Sequence, residues 1–342
     1  MSVKKDVTIY DIAKSANVSP ATVSRVLTSN PLVKESTRQM VLDKMRESGF
    51  TPNESARSLT KKQTNLIGFI LPDISNPFFS QVFIEFERLA LEKGFTVLLR
   101  NSMDNSDIEA IHLREFSERR VECIIFMGGR INKAKPEKKE LEEMSSVMKR
   151  VPIIMVNGKM KGMNGYNVRT DEVGGIEAAV EYLLALGHRK IAYLGGKKGV
   201  TATDIKIAAY KKTLKKNQIS IVPTWQIYSD FNIEGGRKAT RTLLESDQLP
   251  TAIMGMNDLV IYGVLKELRM QNIPIKNFSY VGFDDIFLSD IVYPSLTTVN
   301  HNYQILSMEM MKLFEMIKKG KEIKKGKVIK TQLVIRESCE RI

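Results

Sequence analysis

The chain is poor in the residues that build metal centres and cross-linked folds. It has two cysteines, Cys123 and Cys339, and three histidines in 342 residues. The cysteines show no CxxC spacing and no paired framework, which excludes a disulfide scaffold and fits a reduced compartment, the cytoplasm. His112, His188 and His301 lie far apart and lack metal-ligand spacing, so no metal is expected. There is no Gly-rich phosphate loop of the P-loop type and no G-x-S-x-G elbow, so no motif argues for an enzyme or a cofactor. No apolar run approaches membrane-spanning length, and the start of the chain passes directly into a polar helical pattern without a leader. Acidic residues are also scarce relative to basic ones, 39 against 52, for a formal charge of +13. Such an excess favours a polyanionic partner, of which nucleic acid is the commonest.

The length is too great for one hydrophobic core and argues for two or three domains. The positive charge is uneven. Residues 1–62 hold eleven Lys/Arg against six Asp/Glu, and a second basic run lies between Lys312 and Lys330. The second run has no interleaved aromatics and reads as a solvated face.

The first fifty residues spell three short helices. Thr8 is an N-cap with Asp11 three positions on, a capping box, and Ile9, Ile12, Ala13 and Ala16 share one face. Asn17-Val18 is the turn. Ser19 caps a second helix with Pro20 at its first position, where a missing N–H costs nothing. Val23, Val26 and Leu27 point inward, so Pro20, Ala21, Thr22, Ser24 and Arg25 point outward. A third helix over Glu35–Ser48 buries Val41, Leu42 and Met45 and stops at Gly49. Thr51–Leu59 is a fourth signal, a short segment capped by Asn53 and too short to be stable alone.

From Thr64 the periodicity changes. Strands at 66–71, 96–100, 121–127, 151–156, 190–194, 251–256 and 278–284 alternate with helices at 77–93, 108–119, 136–149, 174–186, 205–216 and 259–270. This α/β alternation predicts doubly wound parallel sheets, with ligands at the carboxyl ends of the strands.

These stretches together resemble the LacI/GalR family of transcriptional regulators. The resemblance is carried by Thr8-Ile9-Tyr10-Asp11-Ile12-Ala13, Val18–Leu27, Asp73-Ile74-Ser75-Asn76-Pro77-Phe78-Phe79, Leu186–Ala192, Asn257-Asp258, Val281-Gly282-Phe283-Asp284 and Pro294–Val299. The head most resembles the catabolite control protein group. The family implies an all-α helix-turn-helix head over 1–50, a hinge helix and linker over 51–63, and a core over 64–342. The core is expected as two periplasmic-binding-protein-like lobes, the first about 64–163 with 294–325, the second about 164–293 with 326–342.

On DNA, the resemblance places the helix from Pro20 in the major groove. Arg25 suits a bidentate guanine contact, worth roughly 1–3 kcal/mol of discrimination. Thr22 and Ser24 suit phosphates or base edges, and Pro20 and Ala21 offer only apolar contact. Thr8, Tyr10, Asn30 and Thr37 match phosphate-contacting positions. Asn53 and Arg57 would touch the DNA backbone, Ala56 would allow close approach, and Leu59 would wedge into the minor groove. In the core, Phe78, Phe79, Asn157, Lys206, Phe231, Asn257 and Asp284 match effector-pocket positions, and the resemblance implies a sugar or nucleobase effector, a sugar or sugar derivative being the one expected. Lys206 stands where the family usually has arginine, which removes a planar fork.

The expected partners are therefore operator DNA, a small-molecule effector and a second copy in a homodimer. No C-terminal heptad segment follows strand Gln332–Ile335, which predicts a dimer and not a tetramer. Two alternatives stay open at this point. One is a carbon-catabolite regulator controlled by a phosphorylated phosphocarrier protein. The other is a solute-binding protein without DNA function, for which the basic head is a poor fit.

Overall fold

Thr8 opens the first helix because its side chain and that of Asp11 cap each other. Asp11 Oδ2 accepts from the Thr8 amide at 2.8 Å, and the Asp11 amide donates to Thr8 Oγ1 at 3.4 Å. A computed structural model describes residues 7–28, 30–50, 64–323 and 326–342. It divides into compact units at Met1–Thr64 and Asn65–Ile342.

In the first unit, α1 (Ile9–Ser15), α2 (Pro20–Leu27) and α3 (Glu35–Ser48) pack around Ile12, Ala13, Ala16, Val23, Val26, Val41 and Met45. Ser19 caps α2 through the Thr22 amide at 3.1 Å, and Pro20 sits at its first turn. Gly49 ends α3 at φ 64°, a left-handed cap that needs no Cβ. One expectation fails. Leu42 is 37% exposed, because Val41 and Met45, four apart, define the inward face and Leu42 lies about a quarter-turn off it. The segment holding Asn53, Ala56, Arg57 and Leu59 lies outside the described residues.

The second unit runs β1 (Leu66–Leu71), α4 (Pro77–Glu92), β2 (Thr96–Asn101), α5 (Ser106–Glu118), β3 (Cys123–Met127), α6 (Lys138–Met148), β4 (Ile153–Val156) and β5 (Tyr166–Thr170). It continues with α7 (Glu172–Ala185), β6 (Ile191–Leu194), α8 (Thr201–Lys216), β7 (Gln226–Ile227), α9 (Ile233–Leu244), β8 (Ala252–Gly255), α10 (Asp258–Met270) and β9 (Ser279–Val281). Last come β10 (Thr298–Asn300), α11 (Tyr303–Lys318), β11 (Lys327–Ile329) and β12 (Gln332–Val334). The first sheet is parallel, in the order β11-β5-β4-β3-β1-β2, and the second is β7-β6-β8-β9. Strand order reverses at β1/β3 and at β6/β8. At such switch points the loops leave to opposite faces and open a crevice at the carboxyl ends.

The lobe boundaries move from those expected. Strands β5 and β11 pair with each other and join the first sheet, so that lobe reaches residue 170 and takes in 327–329. Residues 297–300 join the second sheet instead, through bridges Val281↔Thr297 and Asp284↔Asn300. The reason is pairing. Both β5 and β11 are too short to show a strand pattern, and only their partners reveal their lobe. The chain thus crosses between lobes near residues 171, 301 and 330. The crossings are tied together by Thr331 Oγ1 donating to the Asp171 carbonyl at 2.9 Å and Asn302 Nδ2 donating to the Lys330 carbonyl at 2.6 Å. No helix among the described residues is long and apolar enough to cross a membrane.

Candidate nucleic-acid interface and effector cavity

The outer face of α2 carries the head's exposed polar groups. Pro20, Ala21 and Arg25 are exposed, and Thr22 and Ser24 are half-buried. The Arg25 guanidinium has no hydrogen bond or ion pair among the described residues. Tyr10, 71% exposed, stands on the neighbouring α1 with its hydroxyl open. Other expected contacts are partly committed. The Thr8 amide and hydroxyl both bond Asp11, so they are less available to a phosphate than their position suggests. Thr22 Oγ1 shares a 2.9 Å hydrogen bond with Ser19 Oγ. Asn30 Oδ1 accepts from the Leu32 amide at 2.9 Å, which leaves its NH2 group as the outward donor. Thr37 is half-buried on the first turn of α3.

In the second unit the strand ends enclose a cavity of about 260 Å³. Phe78, Phe79, Asn157, Lys206, Phe231, Asn257 and Asp284 all line it. The elements place them there for local reasons. Asn76 caps α4 by accepting from the Phe78 amide at 3.0 Å, which sets Phe78 and Phe79 at the helix start. Asn257 Oδ1 caps α10 through the Val260 amide at 3.0 Å, while its Nδ2 donates to the Phe231 carbonyl at 2.9 Å and holds that ring's loop. Gly128 and Gly129 turn with positive φ at the end of β3. A Cβ on Gly129 would sit 1.6 Å from Glu109 Oε1. That close approach lets Glu109 bond the fully buried Arg130 at 2.7 Å and fixes the turn that carries Asn132.

The polar floor is a chain of bonds between lobes. His301 Nε2 shares a 3.1 Å hydrogen bond with Asp284 Oδ1, His301 Nδ1 shares one of 2.7 Å with Thr170 Oγ1, and the Thr170 amide donates to Asn157 Oδ1 at 2.8 Å. Burial pushes the Asp284 carboxyl up to about 7, with Lys206 opposing the rise, and pushes His301 down to about 3. His301 is therefore neutral near pH 7, with one ring nitrogen a donor and the other an acceptor. The Lys206 ammonium lies 3.6 Å from the Phe283 ring centre, 3.6 Å from Glu172 Oε1 and 3.3 Å from the Met256 carbonyl. Asn157 Nδ2 is buried with no hydrogen-bond partner. At the mouth, Lys197 of the second lobe pairs with Asp230 at 3.3 Å and reaches Asp104 of the first at 3.7 Å. Beside it, the Ala134 amide donates to the Gly199 carbonyl at 2.8 Å across the lobes.

A helix-turn-helix head before a two-lobed cavity can be compared with known proteins. The model for bacterial regulatory proteins of the lacI family matches residues 8–53, and that for a periplasmic binding protein-like domain matches 180–339. Catabolite control protein A of Priestia megaterium is 33% identical over 298 residues, covering 86% of this chain and 87% of that one. The chain belongs to the LacI family. It is a DNA-binding transcriptional regulator with an effector-binding core, and its family is not one of enzymes. The lac repressor dimer bound to operator and the anti-inducer ONPF shares its fold with a TM-score of 0.87 at 25% identity, over 98% of this chain and 99% of that one. A LacI-family regulator from Enterococcus faecium with bound ribose gives 0.69 at 26% identity, over 81% and 99%.

Several groups of this LacI-family cavity were not legible beforehand. His301 looked like an unclustered histidine, and only the crossing of the chain between lobes sets it against Asp284 and Thr170. Glu172, the partner of Lys206, is 34 residues from it and carried no signal of its own. Lys197 and Asp104 are 93 residues apart and share no pattern. The Asn157 signal was its place at a strand end, and φ 48° there adds a turn that turns its side chain under the floor.

Proposed function

We propose that this regulator is a homodimeric repressor, acting in the cytoplasm, whose grip on operator DNA is switched by a sugar or sugar derivative in the cavity. The carrying observation is the pairing of two features. One is an exposed recognition face on α2 whose Arg25 is uncommitted. The other is a cavity between the lobes, at the carboxyl ends of the strands where strand order reverses. Thr22, Ser24 and Arg25 would read base edges and phosphates, with Pro20 and Ala21 in apolar contact. Tyr10, Asn30, Thr37 and, less directly, Thr8 would hold the backbone. Asn53, Ala56, Arg57 and Leu59 would form the hinge clamp when two copies meet.

The dimer reading is supported by exposed apolar side chains that a monomer would leave wet. Ile84 and Leu91 on α4 are 60% and 72% exposed, and Phe287, Ile291 and Tyr293 in one loop are 63–75% exposed. The sugar reading is supported by aromatic walls beside unspent hydrogen-bonding groups. Effector binding between lobes would shift their relative position and so the folding of the hinge.

The test selects DNA from a random pool with the full-length protein, then measures affinity for the selected site across a sugar panel at one salt concentration. Salt is held constant because phosphate contacts make affinity steeply ionic-strength dependent. The expected result is a roughly palindromic site and one sugar that changes affinity at least tenfold. Selection of no sequence above background would remove the reading. The second reading, control by a phosphorylated phosphocarrier protein, is supported by the likeness to a catabolite control protein and by the internal commitment of Lys206. It predicts that such a carrier raises operator affinity with no sugar present.

A further inference from the structure

The cavity's charge is opposite in sign to that of the whole chain. Asp73, Asp104, Glu172, Asp230 and Asp284 line it, against only Lys197 and Lys206, and no arginine does. Neither ammonium is free. Lys206 is spent on Glu172, the Phe283 ring and a backbone carbonyl. Lys197 lies between Asp104 and Asp230 at the mouth. An entering phosphate or carboxylate would have to take a lysine from its partner; at the buried Lys206 this would leave the Glu172 carboxylate unpaired away from water, and at the half-exposed Lys197 it would meet Asp104 and Asp230.

The unspent groups suit uncharged ligands. Asn157 Nδ2 is a buried donor awaiting an acceptor such as a hydroxyl. Phe78, Phe79 and Phe231 offer flat apolar faces for a ring. The volume, about 260 Å³, falls below the roughly 300–1,000 Å³ of drug-sized pockets, which fits one sugar ring better than two.

We propose that the effector is an uncharged or amine-bearing monosaccharide, and that the cavity rejects its phosphorylated and carboxylated counterparts by unrelieved acidic charge. This rests on the reading that a sugar occupies the cavity.

The test is calorimetric titration of the full-length protein with neutral pentoses and hexoses, 2-amino-2-deoxyglucose, hexose 6-phosphates and hexuronic acids. A neutral or amino sugar binding at least tenfold tighter than its anionic counterpart is the expected result. An anionic sugar binding as tightly as its parent overturns the charge rule and leaves the sugar reading standing. Silence from every sugar overturns both. A second arm uses Asp104→Asn with Asp230→Asn, which frees the Lys197 ammonium. The ratio of hexose-phosphate to hexose affinity should rise at least tenfold, with a melting curve confirming the fold. An unchanged ratio in a folded double variant overturns the electrostatic exclusion.

Discussion

Arg25 in the head and Lys206 in the core are both cations at positions where a ligand contact is expected, yet the molecule treats them in opposite ways. Arg25 projects from α2, exposed and with no hydrogen bond or ion pair among the described residues. Lys206 is 3% exposed and has an aromatic face, a carboxylate and a carbonyl around it. The difference is one of desolvation. A surface cation keeps its water until a phosphate or base replaces it, so leaving it unpaired costs little. A buried cation has no such option and must be paired within the protein. The head therefore shows its chemistry outwardly, while the core spends much of its charge on holding two lobes and a cavity in place.

The largest break in this comparison should come from Lys206→Met. It leaves Glu172 and Asp284 without their cation, and removal of one partner from a buried pair costs about 3–5 kcal/mol. Chemical denaturation at pH 8 should show a loss near the lower end of that range, since Asp284 can take a proton. The loss should shrink at pH 5. An equal loss at both values would mean that Lys206 acts by packing alone. Next comes Arg25→Ala, which should weaken operator binding by about 1–3 kcal/mol while the melting temperature stays put. A melting shift without a binding shift would place Arg25 in the fold and not at the DNA.

Asp284→Asn sharpens the core side. The carboxyl rises from its ordinary range to about 7, so the folded state holds a proton that the unfolded chain has released between about pH 4 and 7. Stability from this group is present below about pH 4 and is lost as pH rises through 7. His301, pushed down to about 3, works against that trend over part of the same window. The Asn variant should gain on the order of 1–2 kcal/mol over the parent at pH 8 and nothing at pH 4. Urea titrations at the two pH values decide it, and a pH-independent difference would remove the proton-linked account. The smallest effect is expected from Lys197→Ala. Its side chain is 44% exposed, so the pairs it makes should be worth less than about 1 kcal/mol and should fade as salt is raised. A salt-independent loss would show that the mouth contact acts through packing.

How much could be read beforehand followed the range of the interactions involved. The caps at Thr8, Ser19 and Gly49 depend on residues at most four apart, and the capped helices lie over the expected stretches. The alternation of strands and helices from Leu66 onward is likewise local. Leu42 was misjudged because an apolar residue beside a true core position looks like core until the helix is docked. The short strands β5 and β11 were missed because three to five residues carry too little pattern. The wrong lobe was assigned to them because sheet membership is a property of partners.

The sequence by itself determined the helical head, its outward polar face, the two α/β lobes and the strand ends at which a ligand would sit. Each of these follows from caps, periodicity and turn residues that act within a few positions. Only the tertiary structure decided which groups remain available. It bound Lys206 to Glu172, set His301 between Asp284 and Thr170, and stationed Lys197 across the mouth from Asp104. Those pairings join residues tens to more than a hundred positions apart. They exist because burial removes water and forces each polar group to find a partner wherever the fold brings one.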